Sequence, residues 1–181
     1  MIAVALDPAA LAIAVAGRGP AAVRRYFALR AGGVERLALF SDQPDDLSTA
    51  GQALRRWLPE PADLAELRAL WIAGLPDERA AELAALARSE RVLVNVEDRP
   101  ELCDFHSVAA VRRGDLLLTV STGGASPGLA ARIRARLADQ YGPEWADRLA
   151  LLRDHRAAWR RDGGDVAART DALLHANGWL A

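Results

Sequence analysis

Residues 11–40 read LAIAVAGRGPAAVRRYFALRAGGVERLALF, and the succession of residue types in that stretch decides the fold. An apolar run enters a glycine turn and leaves it as a helical stretch from about 20 to 31. Gly32-Gly33 then ends the helix, and ERLALF forms a second apolar run. Strand, helix and strand within about thirty residues make a βαβ unit, whose parallel strands require a right-handed crossover.

The turn fits G-x-G-x-x-[GA] over Gly17, Arg18, Gly19, Pro20, Ala21 and Ala22. In this pattern the first glycine permits the tight turn and the second lets a pyrophosphate approach the backbone. A small third residue, here Ala22, lets helix and strand pack closely. Amides at the helix N-terminus then face the phosphates. Asp42 lies 25 residues after Gly17, just past the second strand, where a carboxylate accepts from a ribose 2′-hydroxyl and favours NAD over NADP. Two plainer readings stand beside these: a tight turn with no ligand, and solvated loop charge for the acids of SDQPDD at 41–46.

Outward from this unit the rhythm continues with a helix near 50–57, an apolar run at 69–73, a helix near 77–89 and a strand at 91–96. Such alternation predicts an α/β, Rossmann-like, mostly parallel sheet with helices on both faces. After Asp98 the rhythm changes. Arg112-Arg113-Gly114-Asp115 reads as a turn feeding a strand at 116–120, so a smaller second unit begins near His106. Ser126-Pro127 opens a helix as N-cap and first turn, with Leu129, Ile133 and Leu137 on one face, and Gly142-Pro143 stops it. Trp145, Leu149, Leu152 and Trp159 follow helical spacing, Asp162-Gly163-Gly164-Asp165 breaks the chain, and a last helix runs to about Asn177-Gly178. The expected organisation is a dinucleotide-binding domain over 1–106, a dimerisation and substrate-cleft segment over 107–142 and a helical C-terminal segment over 143–181.

The 181 residues, 51% hydrophobic and 26% charged, suffice for one ordinary core with a small appendage. With 23 basic and 24 acidic residues the formal charge is −1, which supplies no long-range field toward a nucleic-acid backbone or an anionic bilayer. An anionic ligand must find local arginines. The single cysteine, Cys103, excludes an intrachain disulfide and a CxxC metal cluster and fits a reducing, cytoplasmic compartment. The apolar stretch 9–16 follows an aspartate and no basic residue, so it reads as a strand rather than a signal-peptide core. No stretch reaches the roughly 20 apolar residues of a membrane span.

In open α/β sheets ligands bind beyond the carboxyl ends of the strands, and Asp98 falls there. A carboxylate beside a bound nicotinamide can take a proton as hydride leaves the substrate, although Asp98-Arg99-Pro100-Glu101 equally reads as the start of a turn. Thr122-Gly123-Gly124-Ala125-Ser126 offers hydroxyls and backbone amides suited to a carboxylate or phosphate, while for Ser126 an N-cap role is the simpler one. His106-Ser107 lacks a G-x-S-x-G elbow and a separate acid. His106, His155 and His175 are too scattered for a metal site, and no metal ligand set is expected. A Tyr-x-x-x-Lys reductase pair is excluded, since the tyrosines are Tyr26 and Tyr141 and the chain has no lysine.

Taken in order, these segments resemble the precorrin-2 dehydrogenase family, which occurs alone or as the N-terminal module of sirohaem synthase. The likeness is carried by Gly17-Arg18-Gly19-Pro20-Ala21-Ala22-Val23-Arg24-Arg25, Val94-Asn95-Val96-Glu97-Asp98, Cys103-Asp104-Phe105, Arg113-Gly114-Asp115-Leu116 and Ser121-Thr122-Gly123-Gly124-Ala125-Ser126-Pro127. It spans most of residues 1–140. The resemblance implies oxidation of the tetrapyrrole precorrin-2 to sirohydrochlorin with hydride passing to NAD⁺, in a homodimer. It implies that Asp98 is the residue on which catalysis depends, and that some relatives also insert Fe²⁺. Expected cofactor contacts are Gly17, Arg18, Gly19, Pro20, Ala21, Ala22, Asp42 and Ala73. Expected substrate contacts are Asn95, Thr122, Gly123, Gly124, Ser126 and Arg113, with Arg112 and Arg132 as further basic candidates. The chain departs from the family in Arg18, which replaces a middle glycine, and in His106-Ser107-Val108-Ala109 after the C-x-F element. Its C-terminal part is short, about forty residues after Pro143, which favours a dehydrogenase over a bifunctional chelatase. A dinucleotide- or tetrapyrrole-binding homologue without turnover is the competing reading.

Overall fold

In the computed structural model, residues 2–44 and 50–179 are described. Asp45 and Asp46, read above as loop charge, lie outside them. The chain divides into two compact units, 1–107 and 108–181.

The first unit is a five-stranded, wholly parallel sheet. Its strands are β1 (Ala12–Gly17), β2 (Arg36–Phe40), β3 (Leu54–Arg55), β4 (Ala69–Ala73) and β5 (Leu93–Val96), in the spatial order β3-β2-β1-β4-β5. Helix α1 (Gly19–Ala31) links β1 to β2, α2 (Pro61–Leu64) precedes β4, and α3 (Asp77–Ser89) links β4 to β5. The expected α/β class is therefore observed. Central strands of such a sheet are buried on both faces, so alternate residues serve two cores. Ile13, Val15, Ala69 and Trp71 pack with Ala22 and Tyr26 of α1, whereas Ala14, Ala16, Leu70 and Ile72 pack with Leu64 of α2 and Leu83 and Ala84 of α3. Leu39, Leu64 and Leu70 are fully buried, each contributing about 1.5–3 kcal/mol of hydrophobic stabilisation.

Two expectations are corrected here. The helix near 50–57 is instead a short 3-10 turn at 50–53 followed by β3. Gly51 takes φ +56° within the turn, and Leu54 and Arg55 pair with Leu39 and Phe40, giving the outer edge of β2 its backbone partners. The strand expected from residue 91 starts at Leu93, because Arg91 takes φ +61° where α3 ends.

The second unit holds an antiparallel hairpin, β6 (Ala109–Arg113) and β7 (Leu116–Val120), followed by α4 (Pro127–Gln140), α5 (Trp145–Arg161) and α6 (Val166–Ala176). Arg112 and Arg113, expected in a turn, end β6. The turn proper is Gly114-Asp115, with Gly114 at φ +56° in the first central position of a two-residue hairpin loop. Helix α4 packs on both strands. Arg148 of α5 lies over the rings of Trp145 and Trp179, 5.1 and 5.3 Å from their centroids, which fastens the chain beyond α6 to α5.

Candidate functional site

The order β3-β2-β1-β4-β5 reverses direction between β1 and β4, and at such a switch point the loops leaving two neighbouring strands diverge and leave a crevice. A crevice of about 600 Å³ lies there, lined among others by Arg18, Gly19, Pro20 and Ala21 after β1, and by Gly74 and Leu75 after β4.

Its floor depends on missing side chains. A β-carbon on Gly17 would stand 1.9 Å from the Ala73 carbonyl oxygen and 3.0 Å from the Ala22 Cβ. One on Gly74 would stand 2.3 Å from the Arg18 carbonyl oxygen. The Arg18 amide donates to the Ala73 carbonyl at 3.1 Å, so Ala73 anchors the glycine loop. Ala22 is fully buried beneath it and acts through packing. Gly19, at φ +58°, has nothing within 4 Å of where a Cβ would be. The backbone above it is open to a ligand. Helix α1 starts here with no acidic residue in its first turn, so the positive end of its dipole is not cancelled. A two-loop floor stripped of Cβ atoms, open space over Gly19 and an uncompensated helix N-terminus fit the pyrophosphate of a dinucleotide.

At the β2 end stands Asp42. Arg18 Nε donates to its Oδ1 at 2.7 Å and Nη2 to its Oδ2 at 2.6 Å, a bidentate ion pair between the glycine loop and the residue two beyond β2. The hydrogen bond from Arg18 is the main cause that holds the Asp42 carboxyl below its usual range. Partial burial opposes it, and the charges of Arg18 and Arg79 add to it. The same hydrogen bond raises the Arg18 guanidinium. This pairing was not read from the sequence.

Asp98 follows β5 at the same carboxyl rim of the sheet, at φ +60°, and is exposed. Its neighbours are committed elsewhere: Glu97 pairs with Arg25 of α1 at 3.6 Å, and Arg99 pairs with Asp77 at 2.9 Å and with Glu101. Asp98 itself makes no hydrogen bond or ion pair with any described residue. A left-handed backbone is costly for a residue with a Cβ, and aspartate tolerates it better than most. The strand end thus presents one free carboxylate between two paired residues.

Beneath it, Asn95 is buried, its amide donating to the Phe105 carbonyl at 2.9 Å and to Cys103 Sγ at 3.6 Å. Asp104 Oδ2 accepts the Val94 amide at 2.9 Å, its own amide returns to the Val94 carbonyl at 2.8 Å, and Arg88 holds its Oδ1 at 2.9 Å. The C-x-F element therefore closes the outer edge of β5, with Asp104 as its clasp. That role has no signature beyond the motif itself. Ser107 Oγ accepts from Trp71 Nε1 at 3.1 Å and from Arg25 Nη1 at 3.2 Å, which spends the hydroxyl on structure.

In the second unit Ser126 accepts from the Leu129 amide at 3.3 Å, the N-cap anticipated above. Thr122 Oγ1 accepts from the Ser126 amide and donates to its carbonyl, both at 3.1 Å. Gly123 and Gly124 take positive φ with open space around them. Arg113, expected on a substrate wall, is held by backbone carbonyls. Its Nε donates to the Tyr141 carbonyl at 2.9 Å and Nη2 to the Ala138 carbonyl at 3.2 Å, satisfying the C-terminal end of α4. It is separated from Thr122–Ser126 by the 14-residue helix, about 20 Å at 1.5 Å per residue. One substrate group cannot meet both. No cluster of three or more His, Cys, Asp or Glu residues suited to a metal ion occurs among the described residues, and none of the described helices is long and apolar enough to cross a membrane.

The comparisons with known proteins agree with this fold. A family described as putative NAD(P)-binding matches residues 4–109, and a sirohaem biosynthesis protein central segment matches residues 113–140. The siroheme synthase of Thioalkalivibrio sulfidiphilus (strain HL-EbGR7) is 35% identical over 144 residues, covering 76% of this chain and 29% of that protein. The siroheme synthase of Nitrosococcus oceani (strain ATCC 19707) is 31% identical over 185 residues, covering 86% of this chain and 37% of that protein. The chain spans less than two-fifths of the length of the curated siroheme synthases it matches first. The structure of SirC, precorrin-2 dehydrogenase, superposes with a TM-score of 0.74 at 22% identity, covering 97% of this chain and 88% of that one, and shares its fold. With a match running through more than half of its length, this chain belongs to the putative NAD(P)-binding family, and the residues after its Rossmann-like unit are similar to the sirohaem biosynthesis protein central family.

Proposed function

We propose that the protein is an NAD-dependent dehydrogenase that oxidises precorrin-2 to sirohydrochlorin in sirohaem biosynthesis. The observation that carries this reading is the unpaired Asp98 carboxylate on the same sheet rim as the glycine-loop crevice. The two family matches and the names of the relatives point to the same pathway.

Bound NAD⁺ supplies a hydride acceptor. Gly17 and Gly74 keep the two loops close enough to seat its pyrophosphate, Gly19 leaves the backbone approachable, and α1 adds the field of its N-terminus. Asp42 takes the ribose hydroxyls. Oxidation removes a hydride and a proton from the macrocycle, and Asp98 accepts the proton at a carboxylate oxygen, so its lack of an ion-pair partner keeps that oxygen available. Asn95 serves by holding the 103–105 segment under the site. The open turn at Thr122, Gly123 and Gly124 receives the carboxylates of the tetrapyrrole along its backbone, the Thr122 hydroxyl being spent on the Ser126 carbonyl. Ser126 and Arg113 fix the two ends of α4. Segment 107–142 acts in this reading as the dimerisation and substrate-cleft part of a cytoplasmic homodimer, and 143–181 as its helical complement. Leu129 and Ile133, one turn apart on α4 and both exposed, form the apolar stripe a second copy would cover.

The test is anaerobic incubation of precorrin-2 with NAD⁺ and the purified protein, followed by absorbance. Sirohydrochlorin formation by the wild type and its loss in Asp98→Asn are expected. No product from the wild type, or undiminished turnover in the variant, refutes the proposal.

A further inference from the structure

The Arg18–Asp42 pair stands where cofactor choice is made. A lone carboxylate past the second strand accepts the two ribose hydroxyls of NAD through its two oxygens and repels the 2′-phosphate of NADP. In this protein both oxygens of Asp42 are already held by one guanidinium, through Nε at 2.7 Å and Nη2 at 2.6 Å. Arg18 is also part of the crevice lining, beside Gln43. A second guanidinium, Arg79 of α3, acts on Asp42 through its charge but is itself paired with Glu82 at 2.8 Å. Arg18 is therefore the cation at hand.

We infer that Arg18 is a specificity-determining residue which relaxes the choice between the two dinucleotides, so that the protein accepts NADP⁺ as well as NAD⁺. The inference rests on the crevice being the dinucleotide site proposed above. Two physical consequences of the pair lead to it. First, the guanidinium edge competes with the ribose diol for the same pair of oxygens, so binding of NAD⁺ must displace or share Arg18. Second, a guanidinium that leaves a carboxylate can meet a phosphate with the same two-pronged geometry, so the 2′-phosphate of NADP⁺ finds a bidentate partner and a neutralised acid. Arg18 thus weakens the preferred cofactor and rescues the disfavoured one.

The experiment is calorimetric titration of NAD⁺ and of NADP⁺ into the full-length wild type, Arg18→Ala and Asp42→Asn, with circular dichroism to confirm that each is folded. The quantity read is the ratio of the two dissociation constants. In the wild type the two constants should fall within about tenfold of each other. Arg18→Ala should shift the ratio toward NAD⁺ by about tenfold or more, the range expected for loss of a charge-assisted contact. Asp42→Asn, which frees Arg18, should shift it toward NADP⁺. A ratio unchanged in Arg18→Ala overturns the inference and leaves the dehydrogenase reading standing. Failure of the wild type to bind either dinucleotide overturns both.

Discussion

A β-carbon on Gly17 would stand 1.9 Å from the carbonyl oxygen of Ala73, the same oxygen that accepts the Arg18 amide at 3.1 Å. The paired ends of β1 and β4 thus leave no room for a side chain at Gly17. Gly17→Ala must push a strand aside, since the obstacle is backbone, and is expected to lower stability by about 2–3 kcal/mol. Gly19→Ala meets no atom within 4 Å and faces only the left-handed φ of +58°, a cost of about 1 kcal/mol. Urea denaturation should separate the two, while calorimetry should show that Gly19→Ala weakens dinucleotide binding in a protein that remains folded.

Asp98 combines a positive φ with an exposed, unpaired side chain. Nothing in the fold depends on its carboxylate. Asp98→Asn and Asp98→Gly should both retain stability within about 1 kcal/mol of the wild type, glycine gaining at this φ what it loses to unfolded-state freedom. Neither should oxidise precorrin-2. Thermal melting and anaerobic turnover measured on the same samples check this, and a stability loss matching the activity loss would speak against a chemical role.

The Arg18–Asp42 pair makes stability depend on acidity in a defined sense. Because the folded protein holds the Asp42 carboxyl below its unfolded value, the pair contributes at pH above the ordinary aspartate value, about 3.9, and its contribution disappears as pH falls through the lower, folded-state value. The side chains are 25% and 36% exposed, so solvent screening keeps the contribution under about 1 kcal/mol. The stability difference between wild type and Asp42→Asn should shrink between about pH 5 and pH 3. It should also shrink with added salt at neutral pH. A difference that grows on acidification would contradict the assignment.

Ser126 and Arg113 secure opposite ends of α4. Ser126→Ala should cost about 1 kcal/mol through loss of the N-cap, and Arg113→Ala about 1–2 kcal/mol through loss of two carbonyl contacts. The sites share no partner and lie a whole helix apart, so the double variant should equal the sum of the single ones in urea titrations. Arg113→Lys should recover only part of its loss, because an ammonium cannot span both carbonyls.

Ile133 is 39% exposed on the same face of α4 as Leu129, at 51%. If this stripe joins two copies in the homodimer proposed above, Ile133→Asp places a charge in the interface and should leave a monomer. Light scattering coupled to size exclusion reads the mass directly, and a variant that stays dimeric moves the interface elsewhere.

Much of the first unit was legible because a central parallel strand must be apolar on both faces and a tight βα turn needs glycine. Runs such as 12–17, ending in the glycine turn, and 69–73 therefore announce themselves. β3 was not legible. Its two residues earn their place by completing the edge of β2, a requirement set by a neighbour rather than by their own pattern. The same holds for Arg113, whose charge suggested a ligand while its position at the end of β6 delivers it to the carbonyls of α4.

By itself the sequence determined the βαβ order, the glycine loop, the N-cap at Ser126 and the presence of Asp98 after a buried strand, because each of these is a local rule of period, turn or cap. Only the tertiary structure decided which charged groups are spent and which are free. Arg18 meets Asp42 across 24 positions, Glu97 and Arg99 find partners, and Asp98 finds none among the described residues. The reason is that an ion pair forms between atoms within a few ångströms, and what stands that close is set by how parallel strands lie side by side, not by how far apart their residues are along the chain.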